Sequence, residues 1–189
     1  MSVVAATDFT GTSAGEKQKR ELLMLYVNVA DFGSTYSYAA TSSTASWELE
    51  GAGVEDASHT YEFEEETKND ILGHSVTDVT ALNESMDMDM DIQKGNKLQF
   101  QLIKFLEGND WTKFSKFEVL KVRKYLDDVD GSTDHYHAEL HKDCTIRPSS
   151  EGGSGVVGFP ISIKFSGDKV LGTVTINAST GAPTFTAAS

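Results

Sequence analysis

Carboxylates and histidines are the residues in this chain whose types and spacing could do chemistry. Asp87-Met-Asp-Met-Asp91 has the D-x-D-x-D spacing that opens a calcium loop. Such a loop needs glycine at its sixth position and glutamate at its twelfth. Ile92 and Leu98 stand there instead, and the intervening methionines suit a buried strand face. His135, His137 and His141 could present imidazoles for zinc from one strand face, but no second ligand group with metal spacing accompanies them. Glu64-Glu65-Glu66 offers paired carboxylates of the kind glycosidic chemistry uses, although a charged strand end is the commoner meaning of such a run. Cys144 has no local nucleophile signature, and small buried thiols are ordinary. Gly152-Gly-Ser-Gly155 is followed by neither Gly-Lys-Ser/Thr nor a helix, so it is no phosphate loop. The expectation is a protein without catalytic residues, metal ligands or a cofactor, and not an enzyme.

The elements that must position these residues are mostly strands. Met86, Met88 and Met90 alternate with Asp87, Asp89 and Asp91, which puts methionines on one face of a strand and aspartates on the other. From Gly95 the period changes. Leu98, Leu102, Phe105 and Leu106 form a helical stripe, with Asn96 as N-cap and Gly108 placed to end the helix in a left-handed conformation. Strand character returns from Phe114 to Tyr125. Further strands are expected at 25–29, 47–50, 58–66, within 69–79 (interrupted near Gly73-His74), at 136–146, and at 156–165 and 169–176. The last two read as a hairpin through Ser166-Gly-Asp168. A short helix could start at Glu16. Residues 32–46 read as a loop insertion or polar hairpin, Asp127–Gly131 as a turn, and 148–155 as a flexible loop. The fold expected is a mainly β, two-sheet antiparallel sandwich or barrel with one flanking α-helix and flexible terminal arms. Its divisions are an N-terminal arm (1–24), a β domain (25–176) and a C-terminal tail (177–189).

The 189 residues suffice for one domain with a core. No run approaches 18 apolar residues, so no membrane-spanning helix is expected, and residues 1–12 lack the pattern of a signal peptide. A single cysteine excludes an internal disulfide framework and fits a reducing compartment. The net charge of −13 is concentrated: residues 48–91 hold 14 acids against one base, Lys68. A surface this acidic has no electrostatic drive toward DNA. Glu48, Glu50, Glu62, Glu64, Glu66, Asp87, Asp89 and Asp91 all fall on strand faces opposite apolar residues. Like charges facing one another across neighbouring strands are unfavourable, so a demand beyond the monomer's own stability is implied.

Several stretches together resemble the major tail (tail tube) proteins of long-tailed bacteriophages of Gram-positive bacteria. They are Leu25-Tyr-Val-Asn-Val29, Trp47-Glu-Leu-Glu-Gly-Ala-Gly-Val-Glu-Asp-Ala-Ser58, Asp70-Ile-Leu-Gly73, the helix at 95–107, Phe117-Glu-Val-Leu120, 144–155 and Gly158-Phe-Pro-Ile-Ser-Ile-Lys-Phe165. The polar insertion at 32–46 departs from the shorter connection of that family. The resemblance implies self-assembly into stacked, hexameric rings whose joined inner sheets line a channel for DNA. It also implies a place in the virion after assembly in the host cytoplasm, with tape-measure and tail-terminator proteins as partners and no membrane contact. Under that reading the eight acids are candidates for the lumen, where a wall poor in Lys/Arg lets a polyanion slide. Lys113, Lys116, Lys121, Arg123 and Lys124 are candidates for contact with a neighbour's acids, the alternative being a solvated strand face. The competing function is a soluble sandwich binding module, such as an adhesin or carbohydrate-binding domain, with Tyr36, Tyr38 and Trp47 as its ligand patch.

Overall fold

The computed structural model describes residues 23–29, 46–52, 54–126, 135–166 and 168–188. The N-terminal arm to residue 22, the helix start at Glu16, most of the 32–46 insertion with Tyr36 and Tyr38, and the turn at Asp127–Gly131 lie outside the described residues.

Nine strands, all paired antiparallel, and one α-helix make up the described chain. They are β1 (Leu23–Asn28), β2 (Trp47–Glu50), β3 (Val54–Asn69), β4 (Ser75–Met90), α1 (Lys97–Gly108), β5 (Phe117–Arg123), β6 (His135–Pro148), β7 (Ile161–Phe165), β8 (Lys169–Ile176) and β9 (Pro183–Ala187). A 3-10 turn at Trp111–Ser115 separates α1 from β5 and occupies the start of the strand expected from Phe114. The strand order is β2-β1-β5-β6-β7-β4-β3, with β8 on β6 and β9 on β8. The 14-residue β6 joins the two layers: its first half pairs with β5 and β8, its second with β7. The result is the mainly β architecture with a single flanking helix, and it is not a closed barrel.

The alternation expected at Met86–Met90 holds, with the three methionines at most 2% exposed. They pack with Leu98, Leu102 and Phe105 of α1, Leu25 and Val27 of β1, Phe117 and Val119 of β5, and Ile161 and Ile163 of β7. Burial of each such side chain contributes about 1.5–3 kcal/mol before entropy is subtracted. A smaller cluster of Tyr26, Leu120, Val122, Leu140 and Val174 fills the opposite face of β1, β5, β6 and β8. Asn96 caps α1 as expected, its side chain accepting from the Gln99 N–H at 2.8 Å. The left-handed residue is Asn109 (φ 59°) rather than Gly108, because the helix runs one residue further. Its N–H donates to Leu106 O, and that of Asp110 to Phe105 O.

Three expectations change. The segments expected at 58–66 and 69–79 belong to one hairpin of two 16-residue strands, β3 and β4, closed by the turn at residues 70–74. β7 and β8 do not form a hairpin: β7 pairs with β4 and β6, and β8 with β6 and β9. The polar tail contains β9, whose Phe185 packs on the smaller cluster after a turn organised by the Asn177 side chain.

Candidate functional site

The outer half of the β3–β4 hairpin projects beyond the rest of the sheet. Near the core, β4 has partners on both sides, but its pairing with β7 stops at Glu84↔Phe165. Beyond that point β3 and β4 pair only with each other, and residues 60–80 are exposed throughout. The projecting part, residues 62–83, reaches roughly 25 Å. A two-stranded ribbon exposed on both faces is marginal in water by itself.

Buried charge gathers at its base. Lys121 on β5 is 1% exposed, and its Nζ lies 3.0 Å from Glu84 Oε2 of β4 and 2.8 Å from Glu139 Oε2 of β6. Arg123 pairs with Glu139 at 2.7 Å, and Lys169 of β8 with Glu84 at 3.1 Å. His59 of β3 stands 3.4 Å from Glu84, its ring tilted against Tyr61 and edge-on to Phe165, and His141 also packs against Phe165. Burial alone would raise the carboxyl of Glu139, but His141, Arg123 and Lys121 outweigh it and hold the group well below the usual range. Glu84 is also lowered, with Lys121 and Lys169 overcoming its burial. Burial and the Lys121 ammonium push His59 down to about 4.

Glu84, Glu139 and His141 bring ligand atoms within 4.8 Å of one another, a grouping with metal-ligand character that β-strand spacing did not reveal. The Lys121 ammonium already sits between the two carboxylates, in the position a cation would take. The cluster is therefore a salt network centred on a lysine. Cys144 is fully buried, which pushes its thiol up to about 12 and leaves it a core side chain.

The arm has two unlike faces. Register places Tyr61, Phe63, Leu82 and Val79 together on the continuation of the core face, each 45–60% exposed. On the reverse lie Glu62, Glu64, Glu66 and Asp78, continued toward the core by Asp56, Asp87 and Asp89, with Asp56 opposite Asp89 and Glu66 opposite Asp78. Five of the eight acids singled out in the sequence thus share one surface, and Asp91 follows the same alternation where it bridges Gly158. Lys68, Lys164 and Arg147 lie on that surface too, so it is acidic in balance without being free of bases.

Glu48 and Glu50 are elsewhere. Opposite Val27 and Leu25 of β1, they face the start of α1. Glu48 accepts from the Lys97 N–H at 2.9 Å and Glu50 from Asn96 Nδ2 at 3.3 Å. Burial, with Glu48 adding to it, pushes Glu50 up to about 7 despite the Asn96 hydrogen bond.

The basic block is also divided. Lys113 pairs with Asp110, Lys116 with Asp143, and Lys124 lies over the Tyr136 ring. The burial of Lys121 corrects the alternative of a solvated strand face, and both Lys121 and Arg123, candidates for contact with a neighbour, pair with acids of their own chain. Trp47, half-buried, packs against the Tyr26 cluster rather than standing out as a ligand platform. His135 and His137 sit on β6 opposite Thr175 and Thr173 of β8.

This fold and surface define a class: an antiparallel β domain with one helix and a long projecting hairpin. No protein-family model matches the chain, and no curated protein matches it. Among solved structures it is similar to a chain of the anti-feeding prophage cap, described as a tube-terminating cap. There the TM-score is 0.47 at 9% identity, covering 89% of this chain and 99% of the other. A chain of the PVC sheath/tube terminator, from an extracellular contractile injection system, gives 0.48 at 8%, covering 84% and 99%. A chain of the virion of a native gene transfer agent particle gives 0.48 at 10%, covering 90% and 100%.

Proposed function

We propose that this chain is a structural subunit of a phage tail, self-assembling into stacked hexameric rings that form the tail tube through which DNA passes. The observation that carries this reading is the β3–β4 arm: a ribbon exposed on both faces, with Tyr61, Phe63, Val79 and Leu82 beside Glu65 on one and Glu62, Glu64, Glu66 and Asp78 beside Lys68 and Val76 on the other. An isolated domain gains nothing from holding Phe63, Val79 and Leu82 in water, whereas an assembly covers them. The acidic reverse face supports a lumen wall. Its candidates are Glu62, Glu64, Glu66, Asp87, Asp89 and Asp91, now joined by Asp56 and Asp78, while the inward setting of Glu48 and Glu50 removes them from that face. The same reading gives the protein a place in the virion, after assembly in the cytoplasm of a Gram-positive host. Its partners are other copies of itself, a tape-measure protein and a tail terminator, with no cofactor.

Of the basic residues, Lys113, Lys116 and Lys124 remain candidates for contact with a neighbouring copy. Negative-stain electron microscopy and sedimentation of the purified protein at micromolar concentration test the reading. Rings or tubes are expected, and a monomer at every concentration overturns it.

A further inference from the structure

Each end of β4 lies beside an exposed apolar feature. At one end, the turn at 70–74 holds Ile71 and Leu72 in water, 103% and 76% exposed. This presentation is built in. The Asp70 carboxylate accepts from the N–H groups of Leu72 and His74 and pairs with the His74 ring at 2.9 Å, and Gly73 supplies the φ of 84° that the turn requires. At the other end, beyond Met90, an open groove of about 320 Å³ lies between Ile92 and the outer face of α1, with Phe100 and Ile103 on its wall. That is the low end of the range for ligand pockets, a size suited to a pair of aliphatic side chains. Phe100 is 60% exposed.

Charge matches as well. Lys94 and Lys97 line the groove and Lys104 lies over the Phe100 ring at 4.8 Å. The arm behind the tip is acidic in balance, carrying Glu64, Glu65, Glu66 and Asp78 against one base, Lys68, which pairs with Glu66 at 3.0 Å. The tip cannot reach the groove of its own chain, because the 16 residues of β4 hold the two about 50 Å apart.

We infer that Ile71 and Leu72 at the hairpin tip of one copy seat in the Ile92–Phe100–Ile103 groove of a second copy. Different patches at opposite ends of one long strand make a heterologous, head-to-tail contact, the kind that closes into rings or propagates as a tube. The inference rests on the self-assembly reading and specifies which surfaces carry it.

A Leu72→Cys/Phe100→Cys double variant tests it, with Cys144 too deeply buried to interfere. Oxidation of the assembled variant is expected to give a ladder of disulfide-linked chains, absent in either single variant. Ile71→Ser/Leu72→Ser is expected to leave the thermal unfolding of the unassembled chain unchanged and to raise the concentration for half-assembly at least tenfold. Assembly without a ladder, or with tip substitution harmless, overturns this contact and leaves the tube reading standing. Cross-linking in a single variant overturns it in favour of a two-fold contact. Wild-type protein that never assembles overturns both.

Discussion

Glu84 of β4 and Lys121 of β5 meet at 3.0 Å with side chains only 8% and 1% exposed, so the projecting hairpin is fastened to the sheet by charge withdrawn from water. Such pairs contribute little net stability when intact, because desolvation offsets their attraction, but the loss of one partner strands the other. Glu84→Gln should therefore destabilise the chain by about 3 kcal/mol, the low end for a broken buried pair, since Glu139 still holds Lys121. An unfolding free energy from urea titration within about 0.5 kcal/mol of wild type would show that the pair does not secure the arm.

Two buried groups should give opposed pH trends. Glu50, held at about 7 against an ordinary 4.5, binds its proton more tightly when folded. Its contribution is complete below pH 4.5 and is lost as pH rises through 7, at most roughly 3 kcal/mol. His59, at about 4 against 6.5, does the reverse: its contribution is complete above 6.5 and is lost as pH falls through 4. Between pH 4.5 and 6.5 the two oppose each other, while Glu118, raised by its own burial, adds to the Glu50 trend. Glu50→Gln should unmask a fall toward acid, and His59→Gln a fall toward neutrality. Urea midpoints from pH 4 to 8 decide, and variants parallel to wild type refute the assignment. Below pH 4 the lowered carboxyls of Glu84 and Glu139 deepen the acid loss.

Asn96 both caps α1 and donates to Glu50. Asn96→Ala should cost about 1 kcal/mol from the cap, and it should also raise the Glu50 midpoint further by removing the hydrogen bond that lowers it. A pH profile identical to wild type would separate the cap from the carboxylate.

The Cys144 thiol, fully buried and pushed up to about 12, should be inert to a disulfide reagent in native buffer at pH 8. One thiol per chain should react in concentrated urea. Rapid native reaction would contradict the packing around β6.

Phe63→Ser and Val79→Ser alter side chains that are already 59% and 60% exposed. Unfolding of the unassembled chain should move by no more than about 0.5 kcal/mol, while assembly should weaken markedly. Polymerisation unchanged in both variants would show that this face stays uncovered.

Local pattern alone settled much of the chain. The Met/Asp alternation of residues 86–91, the stripe and N-cap of α1 and the acidic faces of β3 and β4 follow from periods of 2 and 3.6, which act within a few residues. The long hairpin was less visible, because Asp70–His74 reads as an interruption until the register shows strands continuing on both sides. Ser166–Asp168 reads as a hairpin turn, yet the strands it joins find other partners. Tertiary structure alone decided the fate of the charges. Lys121 sits in a solvent-like alternation, and what buries it is Glu84, Glu139 and the Phe165 ring, all distant in sequence. Glu48 and Glu50 share a pattern with Glu62 and Glu64 but face a helix instead of solvent. A charged side chain goes where a counter-charge or water can receive it, and that is fixed by strands brought together across the fold.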